Sequence, residues 1–112
     1  MTISKFTGHE KAQAYFIHDE IHGSHALQSH RTIVIFAAYD PVKKRMRHTI
    51  NGLYSATTRK HIGWYAKEHG LEYFQFRWAY DNDCDIIQDY KTGEIIFESR
   101  ETGEILKIIE KN

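Results

Sequence analysis

The sequence predicts an α+β domain: two helices on a mostly antiparallel sheet of about five to six strands, ending in a C-terminal three-stranded meander. Three observations lead there. The run Thr32–Tyr39 (TIVIFAAY) is the longest near-continuous apolar stretch, is rich in β-branched and aromatic residues, and has the length of a strand. Two segments, 8–22 and 55–70, are bounded like helices, each with a polar capping residue at its start and a glycine at its end. The tail repeats itself, KTGEII at 91–96 and ETGEIL at 101–106, and each Thr-Gly-Glu puts glycine where a hairpin turn needs positive φ. At 112 residues the chain makes one domain, 1–112, with a real core.

Taken in order, Thr7 and Glu10 have the spacing of a capping box, so a helix is expected from about Gly8 to His22, stopping at Gly23. Its apolar residues form two sides. Ala12, Tyr15 and Phe16 lie on one, and Ala14, Ile17 and Ile21 roughly opposite. Such a helix is either sandwiched or holds one side free for a partner. Ser24 to Gln28 reads as a short helical turn. Thr32–Tyr39 is apolar on both faces, as in a central strand covered on each side, and Asp40-Pro41 ends it. After a hairpin loop at 42–45, residues 45–50 alternate. Met46, His48 and Ile50 form an inner face and Arg45, Arg47 and Thr49 a basic outer one. Asn51-Gly52 is a turn. Tyr54–Thr58 leads into the second helix, capped by Ser55, Thr57 or Thr58 and ended by Gly70, with Ile62, Tyr65, Ala66 and His69 as its buried stripe. Trp64 stands about 150° from that stripe, beside Lys60 and Lys67. Leu71–Tyr80 alternates as a strand whose aromatic face, Phe74, Phe76, Trp78 and Tyr80, lies in the core. Segments 84–90, 94–100 and 104–110 then form the meander.

Composition excludes several classes. With 41% hydrophobic residues, 27% charged residues and one proline, the chain is globular and not disordered. The single cysteine, Cys84, rules out an intramolecular disulfide and a cysteine zinc site, which favours a reducing, cytoplasmic setting. The N-terminal stretch has no apolar core region, so a signal peptide is not expected, and no run is apolar over the roughly 20 residues that span a membrane. A formal net charge of zero argues against a DNA mimic and against a protein that coats nucleic acid through bulk charge. The charge is uneven, however. Residues 41–70 hold seven Lys/Arg against one acid, Glu68, whereas 81–112 hold nine Asp/Glu against four Lys/Arg.

The passage from Arg31 to about Gly70 combines an apolar strand, a hairpin and then Asn51–Ile62 (NGLYSATTRKHI). It resembles segments of small uncharacterised bacteriophage-encoded proteins. The resemblance covers about a third of the chain and brings no catalytic motif. It implies an early phage protein working in the host cytoplasm, a class that includes inhibitors of host or defence proteins such as CRISPR-type systems.

Of the candidate chemistries, metal binding rests on His18 and His22, four apart on the expected helix, with His25 following. The motif departs from His-Glu-x-x-His, since Asp19 follows His18, and Lys11 shares the histidine stripe. No serine elbow, glycine-rich phosphate loop or dinucleotide fingerprint is present, and Cys84 lies between two aspartates that raise a thiol pKa. No catalytic residue and no cofactor is therefore expected. The most specific signal is an outward Trp64 flanked by Lys60 and Lys67, with Arg59 and with Lys43, Lys44, Arg45 and Arg47 of the hairpin extending a basic patch. Tryptophan is the residue type most enriched at binding hot spots. The competing reading buries Trp64 under the tail meander. The expected function is thus a non-catalytic protein-binding protein, a phage-type inhibitor that occludes a surface of its target. The alternatives are a nucleic-acid-binding domain using the same patch and a metal enzyme built on His18 and His22. The exposed edge at 104–110 leaves a homodimer open, although its Glu and Lys residues oppose pairing.

Overall fold

The computed structural model describes residues 1–53 and 55–110. Ten elements follow one another: β1 (Thr2–Lys5), β2 (Ala14–Asp19), β3 (Ser24–Ser29), β4 (Thr32–Asp40), β5 (Arg45–Ile50), α1 (Ala56–Glu68), α2 (Tyr73–Asp81), β6 (Cys84–Asp89), β7 (Ile95–Ser99) and β8 (Ile105–Ile109). The eight strands form one antiparallel meander in the order β1-β2-β3-β4-β5-β6-β7-β8. The domain is α+β, but the expected sheet of five to six strands with a separate three-stranded meander is wrong. The tail strands continue a single sheet that already holds five strands before the helices.

Two misread segments account for the difference. The segment expected as a helix over 8–22 contains β2. Its residues alternate, with Ala14, Phe16 and His18 facing the helices and Tyr15, Ile17 and Asp19 facing away, and consecutive aromatic and β-branched residues suit a pleated strand. The two apolar sides of the helical reading were the two faces of a strand. Thr7 and Glu10 do not cap a helix. Instead Gly8 N–H donates to Glu10 Oε1 at 3.0 Å in a tight turn, with Gly8 at φ +83°. The supposed helical turn at 24–28 is β3, paired with β2 along its length.

The second misreading is 71–80, expected as a strand and found as α2. Alternating aromatics suggested period two, yet the buried residues are Gln75, Phe76 and Ala79, spaced as on a helix. Phe74 is 60% exposed. The N-cap residue, Glu72, is outside the preferred set; its N–H donates to Gln75 Oε1 at 2.9 Å, one half of a capping box. Helix α1 follows expectation more closely. Ser55 Oγ accepts from Thr58 N–H at 3.2 Å, Gly70 takes φ +70° at the far end, and Leu71 N–H returns to Ala66 O at 2.8 Å. Tyr54, expected at the start of this helix, lies outside the described residues.

Both helices pack on the same sheet face. Ile62, Tyr65 and Ala66 of α1 and Phe76 and Ala79 of α2 share one core with Leu27, Ile35, Ile50, Ile86 and Phe97. The central strand β4 is therefore covered on one side only. Leu27 pairs with Ile35 and Gln28 with Ile33, so Val34 is an extra, bulged residue that turns into the core. Phe36, on the opposite face, is 53% exposed. A strand apolar on both faces was expected to be covered twice; with segment 14–19 in the sheet, no element among the described residues covers the second face.

On that open face the basic residues of β5 are tied to carboxylates of β6 and β7. Arg45 Nε lies 2.9 Å from Asp89 Oδ2, and Arg47 bridges Asp85 Oδ2 and Glu98 Oε1, both at 3.0 Å. Arg100 adds Asp85 at 3.1 Å. These cross-strand pairs knit the helix-free side of the sheet where apolar packing is thin.

Candidate functional site

Trp64 projects from α1 at the edge of the helical layer. The tail meander does not cover it. The N-terminal segment does, on one side: His9 stacks on the indole at a centroid distance of 3.7 Å with 11° between planes, and Phe6 packs at 6.1 Å. His61 closes on it at 5.0 Å. The turn around Gly8 brings His9 over the ring, while Phe6, 3% exposed, anchors the segment in the core. Trp64 remains partly exposed and separates two clefts.

The first is an open groove of about 670 Å³ between α1 and α2, lined by Ala56, Arg59, Lys60, Gly63, Trp64, Tyr73 and Arg77. Gly63, Trp64 and Tyr73 form its apolar floor. A Cβ at Gly63 would meet Tyr73 Cβ at 3.9 Å, an ordinary van der Waals contact, so a side chain is tolerated there without a clash. Arg59, Lys60 and Arg77 rim it, and Lys60 Nζ stands 6.0 Å from the Trp64 ring. The second cleft, of about 570 Å³, lies on the other side of the indole and includes Phe6, Thr7, His9, Lys67 and Glu68. The structure thus brings Trp64, Arg59, Lys60 and Lys67 together. It separates them from the hairpin cations. Arg45 and Arg47 share the helix-free face of the sheet, because their neighbours Met46, His48 and Ile50 point to the helices. Lys43 borders a pocket on that far face with Ala38, Arg45 and Glu98, and Lys44 sits in the β4–β5 turn at φ +54°. One continuous basic patch over 43–67 does not form.

Charge pairing cuts across this division, since among the described residues Arg77 of the groove is paired and Lys43 and Lys44 of the hairpin are not. Arg45, Arg47, Arg77 and Arg100 all hold carboxylates. Among the described residues, no carboxylate pairs with Arg59, Lys60 or Lys67, the three that surround Trp64.

The histidines form a second constellation, which sequence reading only grazed. His18 and His25 stand opposite each other on β2 and β3, with rings 4.5 Å apart. His22 turns away to Asp19 Oδ2, 2.9 Å off. The partner that matters is His69, from the end of α1. Its Nδ1 lies 2.9 Å from the Tyr65 carbonyl, so this nitrogen carries the proton and Nε2 accepts from His25 Nδ1 at 3.0 Å. Gln88 Nε2 donates to His69 O at 2.7 Å, which leaves Gln88 Oε1 to accept from His48 Nε2 at 2.7 Å. His48 Nδ1 then accepts from the Tyr65 hydroxyl at 3.0 Å. In this arrangement His48 and His69 each accept through one ring nitrogen and are neutral. Burial drives His48 down to about 3, with His69 adding to the shift, and burial, His69 and His18 hold His25 at about 4. Among the described residues, no three His, Cys, Asp or Glu side chains are placed to hold a metal ion. A strand in place of the helix removes the four-residue geometry of His18 and His22.

A buried Ser-His pair was missed by sequence reading altogether. Ser29 Oγ lies 2.7 Å from His61 Nδ1 and 3.2 Å from Thr58 Oγ1. Ser29 and His61 are each 2% exposed, so no substrate reaches them, and the pair pins β3 to α1. Cys84 is likewise buried, its thiol pushed up by burial and by Asp83 and Asp85.

These observations define the class of protein: an open antiparallel meander whose helical layer, on one face only, carries a partly exposed tryptophan among unpaired cations. The chain belongs to the family described as "Family of unknown function (DUF8033)", whose model matches residues 1–82. All residues that line the groove fall within that span. No curated protein and no solved structure matches the chain. No helix among the described residues is long and apolar enough to cross a membrane.

Proposed function

We propose that the protein is a small non-catalytic binding protein that works in a reducing compartment such as the cytoplasm and occludes a surface on a partner protein. It engages that partner through the α1–α2 groove. The observation that carries this reading is the set of unpaired cations, Arg59, Lys60 and Lys67, around a half-buried Trp64 beside an open apolar floor. Tryptophan and arginine are among the residue types most enriched at hot spots, and here they adjoin one apolar floor. An inhibitor of a host or defence protein, as the bacteriophage resemblance implies, is one role of this kind.

Nucleic-acid binding fits the groove less well. Stacking needs a free aromatic face, and His9 already takes one face of the indole, with Phe6 and His61 packed beside it. The hairpin cations that would follow a phosphate backbone lie elsewhere, and two of them are ion-paired.

Binding is tested by affinity capture with nuclease present, comparing the wild-type protein with Gly63→Met. Trp64→Ala is a poor probe, because it also removes packing against Phe6 and His61. A Cβ at Gly63 meets only Tyr73, at an ordinary 3.9 Å, so a methionine there extends into the groove and leaves the core intact. A partner retained by the wild type and lost by Gly63→Met supports the reading; a partner indifferent to the change sinks it. Gly63→Ala serves as the control for folding. It is expected to raise stability by up to about 1 kcal/mol in urea denaturation, since glycine inside a helix costs about that much against alanine.

A further inference from the structure

We infer that the segment received by the groove is acidic and carries one large apolar side chain. The inference rests on the proposed binding role of the groove and names the kind of segment that fills it. The floor of Gly63, Trp64 and Tyr73 has room for a side chain where Gly63 has none. That is an anchor position for an aromatic or branched aliphatic residue. Around it stand only positive groups. Arg59 and Lys60 have no carboxylate partner among the described residues, and Arg77 holds only the exposed Asp81, at 3.2 Å. Ala56, the first residue of α1, ends the groove, and no acidic residue occupies the first turn of that helix. The positive end of the helix dipole therefore adds to the rim charge.

The contrast within the same protein supports the choice. On the open sheet face Arg45, Arg47 and Arg100 are matched to carboxylates of neighbouring strands, and Arg47 alone holds two. At the groove Arg77 has such a match in Asp81 but, among the described residues, Arg59 and Lys60 have none, so their complementary charge is left to the partner. Carboxylates on both sides of an apolar anchor meet Arg59 and Lys60 on one wall and Arg77 on the other. Exposed rim charges of this type set association rate and specificity more than final affinity, and the apolar anchor supplies most of the affinity.

The test is selection of a displayed library of random linear peptides on the full-length protein, with charge-reversed Arg59→Glu/Lys60→Glu and groove-filled Gly63→Met as counter-targets. Each variant is first checked for a wild-type urea transition. Enriched peptides should combine Asp or Glu with a single aromatic or aliphatic anchor. They should bind the charge-reversed protein about tenfold more weakly, the sum of a few exposed charge contacts, lose binding to Gly63→Met, and weaken as salt rises. Peptides that depend on Gly63 but carry no acidic residues, or that ignore charge reversal, would overturn the acidic inference and leave the groove standing. Absence of any Gly63-dependent peptide would overturn both. Binding of oligothymidylate at the groove, lost with Gly63→Met, would overturn the inference in favour of nucleic acid.

Discussion

Lowering the pH from about 7.5 to about 5 is expected to destabilise the domain by at least about 2 kcal/mol, the contribution of His48 alone. The folded-state pKa of His48 is depressed to about 3 from the ordinary 6.5. Between those values the unfolded chain binds a proton that the folded chain refuses. Stability is therefore fully present above about 6.5 and falls as pH drops toward 3. Roughly 1.5 pKa units below 6.5, at about 1.4 kcal/mol each, give the figure at pH 5. His25, held at about 4, and His69, lowered by burial, act in the same direction. The cause is structural: Tyr65 and Gln88 satisfy a neutral His48, and an added proton at Nδ1 would face the Tyr65 hydroxyl as a second donor. Urea unfolding at a series of pH values measures the slope. His48→Gln should lower stability at neutral pH and reduce the slope between about 6.5 and 5, leaving the part that His25 and His69 contribute. A wild-type profile that is flat over that range would show that the histidine chain does not exist as described.

Phe76→Ala is expected to cost about 3–5 kcal/mol, whereas Phe74→Ala should cost less than about 1 kcal/mol. Phe76 is fully buried, against His48 and Tyr65 with ring centroids 5.8 and 6.0 Å away, and its loss leaves a cavity between α2 and the sheet. Phe74 is two residues away and 60% exposed. In a strand the two side chains share a face and both changes would be severe. The asymmetry exists only if 73–81 is helical. Urea denaturation of the two variants decides it, and equal large losses would restore the strand.

This pair also shows what the sequence concealed. FQFRWAY alternates aromatics at period two, but the same residues place Phe76 and Ala79 on one helical stripe, and a short segment cannot separate the two periods. The deciding signal, Gln75 three residues after Glu72, is half of a capping box with an unusual N-cap residue. At Thr7 and Glu10 the opposite error occurs: cap spacing is present, yet Tyr15-Phe16-Ile17 needs a strand. The legible elements were those with unambiguous punctuation. Ser55 and Gly70 bracket α1, Asn51-Gly52 follows β5, and Gly93 and Gly103 turn at positive φ between the tail strands. Of the site, Trp64, Arg59, Lys60 and Lys67 were readable from the helical wheel, because α1 was read correctly. Tyr73, Arg77 and the role of Gly63 were hidden, because they require α2 to be a helix. The link from His69 to His25 was hidden because their proximity is tertiary, across 44 residues.

In the proposed binding mode the helical layer, and not the open sheet, meets the partner. A photo-crosslinking amino acid placed at Arg59, and separately at Phe36, tests it most directly in cells. Residue 59 lies on the groove rim, while residue 36 is exposed on the opposite face of the sheet. A discrete crosslinked adduct is expected from position 59 and none from position 36. An adduct from position 36 alone would place the binding surface on the sheet and contradict the groove.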